Sequence, residues 1–138
     1  MAQTLVLDSE AVNALARATE RGVLAERARA ILRVAHERAA LVRIPAPVLA
    51  EVCRGTAVDA PIHRLLQKRG MGVEPLTERI ARRAGGLLAR ARLGSAHAVD
   101  AFVVATAFEL GPTVVATGDP TDLARLAQSA PTLTILAL

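Results

Sequence analysis

At 138 residues the chain has the length of one ordinary domain, long enough to bury about two thirds of its unfolded surface around one core. Its apolar fraction of 52% is high, yet no apolar run approaches the roughly 18 residues a bilayer span needs, and Thr4 to Leu7 is cut off at once by Asp8. A membrane helix and a secretion signal are therefore not expected, a cytoplasmic location is, and the net charge of +4 favours a polyanionic partner that must be met without an aromatic stacking platform, since Phe102 and Phe108 are the only aromatics.

In chain order, Thr4 to Leu7 reads as a short strand, and Asp8-Ser9 as the start of a helix carrying Val12, Leu15 and Ala16 at helical spacing. Residues 22 to 40 place Val23, Leu24, Ile31, Val34 and Ala35 among Arg and Glu, an amphipathic helix. LVRIP at 41 to 45 predicts a second strand, and 46 to 55 a helix with Pro47 in its first turn and Gly55 at its end. The lone Cys53 in that segment has no partner for an internal disulfide and no Cys or His at metal-ligand spacing, and reads as a small buried hydrophobe.

A helix over about 58 to 69 leads to MGVEP, a third strand. Residues 77 to 93 are helical, with Arg79, Arg83 and Arg90 on one face as candidate phosphate contacts; on the other, Gly85-Gly86 is expected to allow close approach of a neighbour. Ser95 is expected to cap an apolar helix that stops at Gly111-Pro112. TVVAT, the helix TDLARLAQ and LTIL complete the chain. Strands alternating with helices predict right-handed crossovers, a mainly parallel sheet of four or five strands, and a site beyond the strands' carboxyl ends.

The five aspartates are unevenly placed. Asp8 follows the first strand and Asp119 the fourth, so both project from the carboxyl edge. Asp100 stands alone in the apolar helix, and Glu51 sits among Val48, Leu49, Val52 and Cys53. A carboxylate in apolar company is desolvated, which favours its neutral form unless a cation compensates. Four converging carboxylates resist ionising together, and a divalent cation resolves the conflict. Oxygen-only ligands select Mg²⁺ or Mn²⁺, an ion that activates water and neutralises a phosphodiester.

Each acid also has a plainer role. Asp8 and Asp119 stand where N-caps stand, and Glu51 alone fits a wet helix face. Asp100 fits that least, because a helix apolar on all sides has little wet face. His97, one turn earlier, reads as a structural hydrogen-bond partner rather than a ligand.

The ordered segments VLDSEAVNAL, PAPVLAEVCRG, AHAVDAFVVATA and VVATGDPTDLARL resemble the PIN-domain ribonucleases, specifically the VapC toxins of VapBC toxin–antitoxin modules, over nearly the whole chain. The resemblance implies a three-layer α/β/α sandwich forming one PIN-like domain over 1–138. It implies that Asp8, Glu51, Asp100 and Asp119 form an acidic Mg²⁺ or Mn²⁺ site, with Asp122, Ser9 and Asn13 in secondary roles. It implies endoribonuclease cleavage of cellular RNA such as transfer RNA, a homodimer, and neutralisation by a VapB-like antitoxin.

Two other readings bear on the same residues. A receiver or a haloacid-type phosphatase also places acids at strand ends. These need a lysine near a late strand or a second aspartate two residues after the first, whereas Lys68 is far from the late strands and Glu10 stands after Asp8-Ser9. A catalytically silent RNA-binding or protein-interaction module suits the basic charge, but the intact acids count against it.

Overall fold

Short strand-forming runs pair into one sheet because their apolar side chains need cover and each run is too short to be stable alone. In the computed structural model, which describes residues 3–17, 22–128, 130 and 132–138, these are β1 (Thr4–Leu7), β2 (Leu41–Pro45), β3 (Met71–Glu74), β4 (Thr113–Thr117) and β5 (Leu133–Ala137). All pair in parallel, in the order β3-β2-β1-β4-β5. β1 is central, with Thr4 opposite Leu41 on one side and Thr113 on the other. Its Leu5, Val6 and Leu7 are buried, as a strand covered on both faces requires.

The helices are α1 (Ser9–Ala16), α2 (Val23–Glu37), α3 (Ala46–Val52), α4 (Ala60–Leu66), α5 (Glu78–Ala91), α6 (Ala98–Glu109) and α7 (Pro120–Ala127). α1 packs with α2, α3 and α4, while α5, α6 and α7 pack together across the sheet, completing an α/β/α sandwich. From β1 the chain steps outward to β2 and β3, then crosses back to β4 and β5. The winding direction therefore changes between the paired strands β1 and β4, which opens a crevice beyond their carboxyl ends.

α6 is the central helix of its layer. Ala101 and Val103 to Ala107 are all buried, so it has no wet face beyond its first turn. α5 covers it through Ile80, Ala84 and Leu87, one apolar stripe. Gly111, at φ 82, ends α6 in the left-handed region that glycine adopts at low cost.

Four sequence expectations are corrected. Gly85 and Gly86 are exposed, and a β-carbon on either would meet nothing within 4 Å, because α5 turns its Ile80–Ala84–Leu87 side to α6. Ser95 does not cap α6: Ser95–His97 form a 3₁₀ turn that feeds directly into the helix, and no side chain caps either one. α3 ends at Val52 rather than Gly55, because the Arg54 and Gly55 amides are taken by the Asp59 carboxylate at 2.8 and 2.7 Å. Cys53 is half-buried against the core rather than enclosed.

Candidate functional site

Three helices begin at the crevice, and each brings an acid in its cap or first turn. Asp8 is the N-cap of α1 and Asp119 that of α7, while Asp100 lies in the first turn of α6 and Asp122 in that of α7. Helix N-termini carry partial positive charge and stabilise anions, so the same local rule that caps the helices gathers carboxylates at one point. Capping and site-building are one arrangement here. Asp100 is thus nearer its helix start than its place inside a long apolar segment suggests.

Asp8 is buried and held at both oxygens: Oδ1 accepts from the Ala11 amide at 2.8 Å and Oδ2 from the Gly118 amide at 3.3 Å. Asp119 Oδ1 accepts from the Asp122 amide at 3.3 Å, and the Asp119 amide donates to Thr117 Oγ1 at 2.8 Å. Oxygens of Asp100, Asp119 and Asp122 lie within 4.8 Å of one another. A cleft of about 290 Å³ is lined by Asp8, Ser9, Glu10, Leu24, Asp100, Gly118 and Asp119. Asp8 therefore faces the same space without belonging to the tightest group.

Electrostatics reports the crowding. Burial, then the charges of Asp8, Asp119, Glu51 and Asp122, push the Asp100 carboxyl up to about 6. Burial also raises Asp8, against the hydrogen bonds from Thr117, Ala11 and Gly118 that favour its charged form. Close, partly desolvated oxygen donors with mutual repulsion suit a hard divalent cation, which stabilises the ionised form of every member. The donor set fits such an ion. Asp100, Asp119 and Asp122, with Asp8 facing the same cleft, could hold one.

Glu51 is exposed on the last turn of α3 and outside the cleft lining, and its carboxylate accepts a hydrogen bond from Ser9 Oγ. Ser9 thereby ties α1 to α3 and holds that charge toward Asp100. Asn13 does not line the cleft. Its Oδ1 accepts from Arg17 Nη1 at 2.8 Å, and Arg17 Nη2 reaches the Val52 and Val58 carbonyls at 3.4 and 3.3 Å, a structural clamp behind the site.

The arginine face divides. Arg79 and Arg83 pair with Glu109 at 3.3 and 2.9 Å, and Arg83 also stacks 4.7 Å from the Phe108 ring centre. Glu109 follows Asp100 by nine residues, about 13 Å along α6, so these two arginines sit away from the cleft. Arg90, in the last turn of α5, is exposed at the near end, where Arg125 of α7 donates to the Ala91 carbonyl at 3.1 Å.

Residue-by-residue reading overlooks the lining by Glu10, Leu24 and Gly118. No sequence signal marks Glu10, which looks like a helix-surface position, and Leu24 reads only as part of the apolar face of its helix. Gly118 is legible only in retrospect: a β-carbon there would come within 2.8 Å of Glu10 Cβ. A larger groove of about 680 Å³ lies between α2 and the strands, lined by Leu5, Ile31, Val34, Val114 and Leu136 among others. Among the described residues its one charged lining residue is Arg38 and no acid lines it, whereas the carboxylates gather at the smaller cleft.

The family model for the PIN domain matches residues 5–128. No curated protein matches the sequence significantly. Among solved structures, the fold is similar to a chain in the crystal structure of VapBC2 from Rickettsia felis bound to a DNA fragment from their promoter. The TM-score is 0.69 at 13% identity, covering 99% of each chain. Among the described residues no helix is long and apolar enough to cross a membrane. With a family match over residues 5–128 and a sandwich whose carboxyl-edge crevice gathers Asp8, Asp100, Asp119 and Asp122, the chain belongs to the PIN-domain family.

Proposed function

We propose that this chain is a Mg²⁺- or Mn²⁺-dependent endoribonuclease that acts in the cytoplasm as the toxin of a type II toxin–antitoxin module, restrained by a VapB-like antitoxin. The observation that carries the reading is the convergence of Asp100, Asp119 and Asp122 oxygens within 4.8 Å beside the buried Asp8. PIN domains are generally nucleases, and the similarity to a VapBC structure supports the toxin assignment. The net charge of +4 suits an RNA substrate such as transfer RNA. The apolar groove beside α2 supports protein partners, an antitoxin and a second copy of the chain.

In this reading Asp8, Asp100 and Asp119 hold the ion, with Asp122 and Glu51 supporting. When bound, the ion lowers the pKa of water and neutralises charge on a phosphodiester. The chain's own groups do the positioning. The Ala11 and Gly118 amides fix Asp8, so its carboxylate does not swing away when the ion's charge is absent. Ser9 restrains Glu51, whose negative charge disfavours any monovalent substitute by adding to the site's demand for positive charge. Arg90 stands exposed at the cleft end of α5, placed to meet a substrate phosphate.

The test is cleavage of structured RNA by the purified chain with Mn²⁺ or Mg²⁺, its arrest by chelator, and its loss in Asp100→Asn. RNA bound but never cut by the parent under either ion would establish the silent-module reading instead.

A further inference from the structure

His97 occupies a joint between the two halves of the carboxylate group. It is the residue from which α6 departs, three positions before Asp100, and its Nε2 lies 3.3 Å from Asp122 Oδ2 on α7. Asp122 has a second cation near its other oxygen, Arg125 Nη1, but that contact is long at 4.0 Å and Arg125 is half exposed. The Asp122 amide in turn donates to Asp119 Oδ1 at 3.3 Å. One imidazole thus links the helix that carries Asp100 to the turn that carries both Asp119 and Asp122.

The ring's other nitrogen sharpens the geometry. Nδ1 is buried and has no hydrogen-bond partner among the described residues. With a proton on Nε2 the ring turns its polar N–H edge toward the carboxylate 3.3 Å away and leaves Nδ1 as a bare acceptor, which costs less than burying an unpaired N–H. The side chain is therefore aimed at Asp122 and at nothing else described. A surface histidine that merely filled space would not need that single direction.

We propose that His97 is a positioning residue of the metal centre: its Nε2–H holds Asp122 Oδ2 so that the carboxylate stays grouped with Asp100 and Asp119. The proposal rests on the metal-site reading given above. Hydrogen-bond partners that orient metal ligands contribute roughly 10- to 100-fold to affinity. Asp122 is one of several carboxylates gathered at the site, so the low end of that range applies.

The experiment is Mn²⁺ binding to the full chain, followed through the free-ion electron paramagnetic resonance signal, with thermal unfolding in chelator measured alongside. His97→Ala is expected to weaken Mn²⁺ binding about tenfold while its unfolding midpoint in chelator stays close to the parent's. His97→Gln, whose amide nitrogen reaches where Nε2 stands, restores most of the affinity, and His97→Asn, one bond shorter, does not. The Gln and Asn pair decides the matter should the alanine variant not fold. Equal Mn²⁺ affinity in His97→Ala and the parent, or in the Gln and Asn variants, overturns the proposal while leaving the metal site standing. A parent chain that takes up no Mn²⁺ overturns both.

Discussion

The amide of Gly118 donates to Asp8 Oδ2 at 3.3 Å, joining residues 110 positions apart, so the turn that presents Asp119 also fixes the carboxylate that follows β1. The same glycine leaves room for Glu10, whose side chain lies where a β-carbon would be. Gly118→Ala is therefore expected to push Glu10 and the turn apart. The cost is about 1 to 3 kcal/mol of stability, together with weaker Mn²⁺ binding. Chemical denaturation and Mn²⁺ titration of the variant check both effects, and an unchanged pair of values would refute the crowding argument.

Asp100→Asn is expected to separate stability from activity. Replacing a crowded, partly desolvated carboxylate by a neutral amide relieves repulsion from Asp8, Asp119, Glu51 and Asp122, so the unfolding midpoint in chelator rises. Under the proposed function, loss of a ligand to the ion removes several kcal/mol of transition-state stabilisation, so RNA cleavage is expected to fall on the order of a thousandfold. Paired melting and cleavage assays read the two in opposite directions.

The response to pH follows from the same residue. Asp100 has a pKa of about 6 in the folded chain against an ordinary 3.8, so the folded state binds its proton more tightly than the unfolded state does. Stability without metal therefore declines as pH rises from about 4 through 6, and Asp8, raised by burial, acts in the same sense. Asp59 has the opposite sign, being lowered by the Arg54 and Gly55 amides. Its contribution is lost only on acidification below the ordinary carboxylate range. Melting in chelator is expected to show a higher midpoint at pH 5 than at pH 7. Mn²⁺ affinity runs the other way and rises with pH, since ion and proton compete for the same oxygens.

Ser9→Ala frees Glu51 from α1. Glu51 is exposed and the hydrogen bond crosses between two helix ends, so the stability change is expected to stay within about 1 kcal/mol. Cleavage is expected to drop about tenfold, the size typical of losing a partner that orients a ligand. A drop as large as that of Asp100→Asn would instead place Ser9 in direct contact with substrate.

Much of this protein was legible in one dimension. TLVL, LVRIP and TVVAT became β1, β2 and β4 with the predicted limits, because apolar runs bounded by Asp8, Pro45 and Gly118 report burial and termination locally. The acids could be singled out for the same reason: Asp100 breaks an apolar segment, and Asp8 and Asp119 each follow a strand. Ser95 and Gly85-Gly86 misled, since a capping residue type and a pair of small residues state only what a backbone permits.

What pattern did not contain was adjacency. That β1 lies beside β4, so that Asp8 and Asp119 share a crevice, follows from the reversal of winding after β3, a choice made by long-range burial rather than by any local period. Adjacency also moved Asp122 into the tightest carboxylate group, left Glu51 on the rim tied to Ser9, and set Arg79 and Arg83 against Glu109. Residue type and spacing determined which groups carry charge and which elements carry them. Only packing determined which charges meet, because Coulomb energy depends on distance in space and the chain's sequence orders distance only along itself.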